Sequence, residues 1–216
     1  MGNNLVIVLV AMGNIFVARK IYDTLFHGNH LSWNALISGY VKRNMSSHEA
    51  FHCYIEMQEE GISPDSITFT CILKTCGNRG EIDKGQEIHE EIVNNVLLKN
   101  NLFLGAGVVD MYIKCGSLRE AHEVFDTVPA HDTVMWNALI GGYVQENQGE
   151  RALRLFDEMK IEGVLSNSIT LSSCLKACVG IENMAKGRDI HAEISTKGLV
   201  ETDAFLGSVL VDMYAK

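Results

Sequence analysis

The chain has 216 residues, a net charge of −9 and only two prolines, Pro64 and Pro129. That length makes one large domain or an array of small units, and it excludes Pro-rich and collagen-like segments. An excess of Asp and Glu over Lys and Arg argues against sequence-blind nucleic-acid binding, which needs excess cation to displace counterions from phosphates.

The longest apolar run, Leu5 to Met12, is far shorter than the about 20 residues a membrane span needs. It also lacks the basic segment of a secretory signal. Six cysteines, at 53, 71, 76, 115, 174 and 178, are read as reduced thiols, because a chain this long needs no disulfide staples.

Internal repeats organise the whole chain. LSWNALISGYV at 31–41 returns as VMWNALIGGYV at 134–144, SIT at 66–68 returns at 168–170, and VDMY at 109–112 returns at 211–214. The shift is 102 or 103 residues and holds three unequal repeats. In chain order the repeats are 1–29 (partial), 30–65, 66–101, 102–132, 133–167, 168–203 and the start of another at 204–216.

Each repeat reads as two helices. In 30–65, Trp33, Leu36, Ile37, Tyr40 and Val41 form one apolar stripe at helical spacing, and Ala50, Cys53, Tyr54 and Met57 form a second that Gly61 ends. Trp136, Leu139, Ile140 and Tyr143 repeat the first stripe, and Ala152, Phe156 and Met159 the second, closed by Gly163. The short repeat gives Val108, Val109 and Tyr112, then Ala121, Val124 and Phe125. One helical hairpin cannot bury its stripe alone, whereas stacked hairpins can. The expected fold is all-α, a right-handed solenoid of about twelve paired helices plus a lone final one, with the first helix of each repeat lining the concave face.

A repeat of about 35 residues opening near SWNALI and closing near EMQEEGISPD resembles the pentatricopeptide repeat. LVDMYAK at 210–216, KCGSLREAHEVFD at 114–126 and KGQEIH at 84–89 resemble its plant PLS subclass, in which P, L and S repeats alternate. On that likeness 30–65 and 133–167 are P-type, 66–101 and 168–203 L-type, and 102–132 S-type. The partial repeat 1–29 and the stretch 204–216, the first helix of a further repeat, are also S-type.

The resemblance implies binding of single-stranded RNA, one base per repeat, read by the fifth and last residues of the repeat. The reading pairs are then Asn3 with Asn29 (C), Asn34 with Asp65 (U), Thr70 with Asn101 (A), Ala106 with Asp132 (no letter), Asn137 with Asn167 (C) and Ser172 with Asp203 (G). A terminal Asp supplies an acceptor, and a terminal Asn an amide that is free to flip to suit the base. Leu31, Ile67, Phe103, Val134, Ile169 and Phe205, each the second residue of its repeat, would sandwich the bases. Lys42, Lys114 and Lys216 recur eight residues after a reading position, and Lys74 and Lys176 four residues after theirs, as candidate phosphate contacts on the same face.

The same side chains admit a plainer role, with Asn34 and Asn137 as helix caps and Asp65, Asp132 and Asp203 as turn residues. Ser32 is the better cap candidate beside Asn34, and Trp33 and Trp136 belong to the core. Longer members of the subclass carry a zinc-dependent cytidine deaminase, whose chemistry needs H-x-E and P-C-x-x-C. His89-Glu90-Glu91 and His191-Ala192-Glu193 match the first half, but no C-x-x-C exists. No catalytic residue, metal or cofactor is therefore assigned.

The expected function is RNA recognition in a mitochondrion or chloroplast, most specifically as a C-to-U editing specificity factor served by a deaminase supplied in trans. A protein-interaction scaffold or an inactive truncated product is the alternative. The chain shows no transit peptide and begins and stops inside repeats, as a fragment without the C-terminal E and DYW domains would.

Overall fold

The computed structural model describes residues 2–24, 29–42, 47–95, 101–199 and 203–215, and all the regular structure among them is helical. Two compact units divide the chain, Met1–Cys115 and Gly116–Lys216. The first holds α1 (Gly2–Ala11), α2 (Ile15–Tyr22), α3 (His30–Lys42), α4 (Ser47–Glu59), α5 (Ser66–Arg79), α6 (Ile82–Asn94) and α7 (Leu102–Lys114). The second holds α8 (Leu118–Thr127), α9 (Thr133–Gln145), α10 (Gly149–Ile161), α11 (Ser168–Gly180), α12 (Met184–Thr196) and α13 (Ala204–Ala215). Thirteen helices and no strand thus lie among the described residues, the all-α hairpin stack of a repeat solenoid.

The apolar stripes do what their spacing requires. Trp33, Leu36, Ile37 and Tyr40 are buried against Ala50, Cys53, Tyr54 and Met57 of the paired helix, and Trp136, Leu139, Ile140 and Tyr143 repeat this against Ala152, Phe156 and Met159. Val41, at the end of its stripe, is only half-buried. Each Leu, Ile or Phe enclosed in this way contributes about 1.5–3 kcal/mol relative to exposure. The hairpins of 30–65 and 133–167 end alike. Gly61 and Gly163 adopt φ of 75° and 76°, and the next amide, of Ile62 or Val164, reaches back to the carbonyl of Met57 or Met159 at 3.0 Å. That left-handed closure is open to glycine at little steric cost.

First helices pack directly on one another along each unit, α1 on α3, α3 on α5 and α5 on α7, then α9 on α11 and α11 on α13. Polar ties join the second helices. Arg19 reaches Glu56 at 2.8 Å, Tyr54 donates to Glu91, and Lys186 meets Asp157 at 2.7 Å. A His–Tyr bond recurs between a second helix and the first helix after it: His89 with Tyr112 (3.0 Å), His122 with Tyr143 (2.8 Å) and His191 with Tyr214 (2.9 Å). Among the described residues no helix is long and apolar enough to cross a membrane.

Candidate nucleic-acid interface

The last residue of each repeat is the N-cap of the next first helix, rather than a bare turn residue. Asp65 accepts from the amides of Ile67 and Thr68 through Oδ1, both at 2.9 Å. Asn167 does the same for Ile169 and Thr170 at 3.1 Å. Asn101 caps α7 through Leu104, Asp132 caps α9 through Met135, and Asp203 accepts from Phe205 and Leu206 at the start of α13. Asn29 caps α3 by accepting from the amide of Ser32 at 2.9 Å. Ser32, expected as the cap, instead occupies the third helical position and returns its own oxygen to the Asn29 amide. Asn34 and Asn137 lie within the bodies of α3 and α9 and cap neither.

Capping has a chemical consequence. With Oδ1 held by helix amides, the identity of the other side-chain atom is what distinguishes an Asp cap from an Asn cap. In Asp65 that atom is Oδ2, an acceptor; in Asn167 it is Nδ2, a donor. A freely flipping terminal amide, as expected from the sequence, is therefore not what the fold provides. Flipping Asn167 would turn its amino group onto the two N–H donors that now bond its oxygen.

In the repeats 30–65 and 133–167 the fifth and last side chains are in direct contact. Asn34 Nδ2 donates to Asp65 Oδ2 at 3.0 Å, and Asn137 Nδ2 donates to Asn167 Oδ1 at 3.2 Å. The other end of each amide is held by a residue that the sequence reading passed over. Thr68 Oγ1 donates to Asn34 Oδ1 at 2.6 Å, and Thr170 Oγ1 donates to Asn137 Oδ1 at 2.5 Å. Both threonines are wholly buried. The repeated SIT motif, three residues beyond an Asp or Asn cap, was the available signal, since that spacing is a capping box. His30 also joins the first pair, its Nδ1 lying 3.4 Å from Asp65 Oδ2 and 3.3 Å from Asn34 Nδ2.

Partial burial pushes the Asp65 carboxyl up, but the Thr68 amide, the Asn34 and Thr68 side chains and His30 outweigh it. The pKa lies below its ordinary value, so the group is ionised and acceptor-only at neutral pH. Asp203 is likewise lowered, first by the Leu206 amide and then by Ser168.

The remaining pairs differ. The Thr70 hydroxyl donates to the carbonyl of Ser66 and that of Ser172 to Ile169, and neither bonds its partner, Asn101 or Asp203. Asn3 Oδ1 is buried without a hydrogen-bond partner. Ala106 falls in one compact unit and Asp132 in the other.

All six expected base-flanking side chains are exposed. Ile67 is the least so, at 53%, and Phe103 the most, at 80%; Leu31, Val134, Ile169 and Phe205 lie between. Apolar side chains therefore stand open at the second position of each of these repeats. Trp33 and Trp136 are 1% exposed and stay in the core. Lys42, Lys74, Lys114 and Lys176 are exposed. The charges of Lys74 and Lys42 both act on Cys71, next to Thr70, and Lys176 Nζ lies 5.3 Å from the centre of the Phe205 ring. Lys114 is paired with Asp110 at 2.6 Å. Lys216 lies outside the described residues.

The two H-x-E matches are built into the stack. His89 and His191 bond tyrosines, Glu91 accepts from Tyr54, and Glu193 accepts from Lys160 and Ser166. Among the described residues no three His, Cys, Asp or Glu side chains could hold a metal ion.

The PPR repeat family model matches residues 29–78 and 131–180. A mitochondrial pentatricopeptide repeat-containing protein of Arabidopsis thaliana is 36% identical over 215 residues, which is 100% of this chain and 21% of that protein. A chloroplastic one from the same plant is 34% identical over 215 residues, covering 100% of this chain and 34% of its own length. The chain thus spans about a third of one of these relatives and about a fifth of the other. Among solved structures, the pentatricopeptide repeat protein PPR10, known from maize and in complex with an 18-nt psaJ RNA element, superposes with a TM-score of 0.73. That match has 18% identity and covers 97% of this chain and 30% of the other, a likeness of fold. Repeat length, hairpin stack and sequence kinship agree: the chain belongs to the pentatricopeptide repeat family.

Proposed function

We propose that this chain reads single-stranded RNA, one base per repeat, as a specificity module of organellar RNA processing. One observation carries the reading. In both P-type repeats the fifth and last side chains meet as a polar pair, Asn34 with Asp65 and Asn137 with Asn167, beside open apolar residues.

The pinned caps supply a physical basis for the letters. U and G carry a ring N–H on their Watson–Crick edge, and C and A carry a ring nitrogen acceptor. A second carboxylate oxygen, as Asp65 and Asp203 carry, is an acceptor that suits U or G. An amide N–H, as the caps Asn29, Asn101 and Asn167 carry beside their oxygen, is a donor that suits C or A. With the fifth residue separating pyrimidine from purine, the repeats spell C-U-A-N-C-G. Leu31 and Ile67 would enclose the U, and Val134 and Ile169 the C of the fifth position. Lys42, Lys74 and Lys176 supply positive charge on a chain that is acidic overall.

Mitochondrial and chloroplastic relatives, together with the P, L and S alternation, support an organellar role. Within it we favour C-to-U editing, with this chain selecting the site and a deaminase acting in trans. The test is fluorescence anisotropy against C-U-A-A-C-G and against oligomers changed only at the second base to C or at the fifth to U. Both changes should weaken binding, and log affinity should fall linearly with log salt. Equal binding of all three oligomers would end the base-reading proposal. Loss of the protein should leave specific organellar cytidines unconverted, as read by transcript sequencing.

A further inference from the structure

The hydroxyls of Thr68 and Thr170 occupy an unusual place. Each belongs to one repeat, closes the cap of its own helix and donates to the reading amide of the repeat before it. The Thr170 oxygen accepts from the Asn167 amide at 3.2 Å while its proton goes to Asn137 Oδ1, the nearest acceptor at 2.5 Å. Thr68 does the same between Asp65 and Asn34. A side-chain amide is nearly symmetric in shape, so only its hydrogen bonds decide which end faces the cap residue.

Ser32 provides the contrast within this chain. Its hydroxyl donates to the Asn29 carbonyl at 2.8 Å, and Asn3 Oδ1 is left buried and unpartnered. The P-type reading amides are thus held at both ends, and the amide of Asn3 is not held at its oxygen.

The two threonines should matter unequally. Asp65 offers only acceptors, so its carboxylate, with His30 Nδ1 beside it at 3.3 Å from Asn34 Nδ2, keeps that amino group turned toward it. Asn167 carries a donor as well as an acceptor. Without Thr170, Asn137 can rotate and accept from Asn167 Nδ2, competing with the base for that donor.

We propose that Thr170 is a positioning residue for base selection: by fixing the Asn137 amide it keeps the Asn167 amino group free to read C, whereas at Asn34 the Asp65 charge makes Thr68 dispensable for selection. This rests on the base-reading function proposed above.

The experiment measures anisotropy for the parent, Thr170→Val, Thr170→Ser and Thr68→Val against oligomers differing only at the second or fifth base. Thr170→Val should lower the C-over-U ratio at the fifth base by about fivefold, the worth of one neutral hydrogen bond. Thr170→Ser should retain the ratio. Thr68→Val should hold the U-over-C ratio at the second base within about twofold. If both valine variants weaken every oligomer equally and leave the ratios unmoved, the threonines are structural only and the proposal is wrong. If the parent itself shows no fifth-base preference, the base-reading function fails and this proposal with it. Should Thr170→Val not fold, Thr170→Cys, a weaker donor in the same space, should give a partial fall in the ratio; an unchanged ratio overturns the proposal.

Discussion

Asn167→Asp isolates the one atom that should carry the letter at the fifth base. Asn167 Oδ1 now takes the amides of Ile169 and Thr170 and the Asn137 amino group; at Asp65 a carboxylate takes the corresponding two amides on Oδ1 and the Asn34 amino group on Oδ2. Asp and Asn are equivalent N-caps, and negative charge at a helix N-terminus is favourable by about 0.3–1 kcal/mol. The fold should therefore hold or gain slightly, with an unchanged or higher Tm. What changes is the other side-chain atom, from a donor to a charged acceptor. A C loses its partner and meets an acceptor facing its own, and a U gains a hydrogen bond to a charged group. Such bonds contribute about 1.5–3 kcal/mol, which is a shift of roughly 10- to 100-fold in the C-over-U ratio. Val134 and Ile169 are untouched, so affinity for the best-matched oligomer should change much less. Anisotropy titrations at one fixed salt concentration, with oligomers differing only at the fifth base, read this directly. A variant with parental Tm that still prefers C would refute the assignment of Asn167 Nδ2 as the reader.

Two further outcomes test the packing. Gly149→Ala places a methyl 2.8 Å from Ile181 Cγ2 and 3.0 Å from the Ala177 carbonyl oxygen. The backbone atom cannot yield as a side chain would, so thermal unfolding should show a loss of about 1–3 kcal/mol. Glu193 tests the second-helix layer. Burial alone would raise its carboxyl, but hydrogen bonds from Lys160, Ser166 and Lys197 hold it down to about 2. A folded-state pKa depressed below the ordinary value near 4.5 gives stability that is complete above that value and is lost as pH falls toward 2. Urea midpoints measured from pH 6 to pH 2.5 should therefore fall less steeply for Glu193→Gln than for the parent; parallel curves would show that these bonds contribute nothing.

Much was legible in the sequence because its causes are local. Stripes at i, i+3, i+4 and i+7 fix which face of each helix is buried, and Trp33, Leu36, Trp136 and Leu139 went where that spacing sends them. Gly61 and Gly163 mark helix ends for an equally local reason, their left-handed φ. The second residue of each repeat lies off the stripe, so the openness of Leu31, Ile67, Phe103, Val134, Ile169 and Phe205 follows from the same periodicity.

Tertiary structure decided the polar partners, because those bonds span about thirty residues and no helical period encodes them. Asn34 meets Asp65 and Thr68, and Asn137 meets Asn167 and Thr170, only once α5 packs on α3 and α11 on α9. Thr70 and Ser172 look equally fit to read, yet they spend their hydroxyls on their own helices. The two tryptophans share one motif, but Trp33 Nε1 finds Glu60 at 3.1 Å and Trp136 Nε1 is buried without a hydrogen-bond partner, its ring meeting Phe125 and His131 edge to face. A one-dimensional pattern of apolar residues specifies which surfaces must leave water. Which donor then faces which acceptor depends on the register of one helix against the next, and that register exists only in the packed stack.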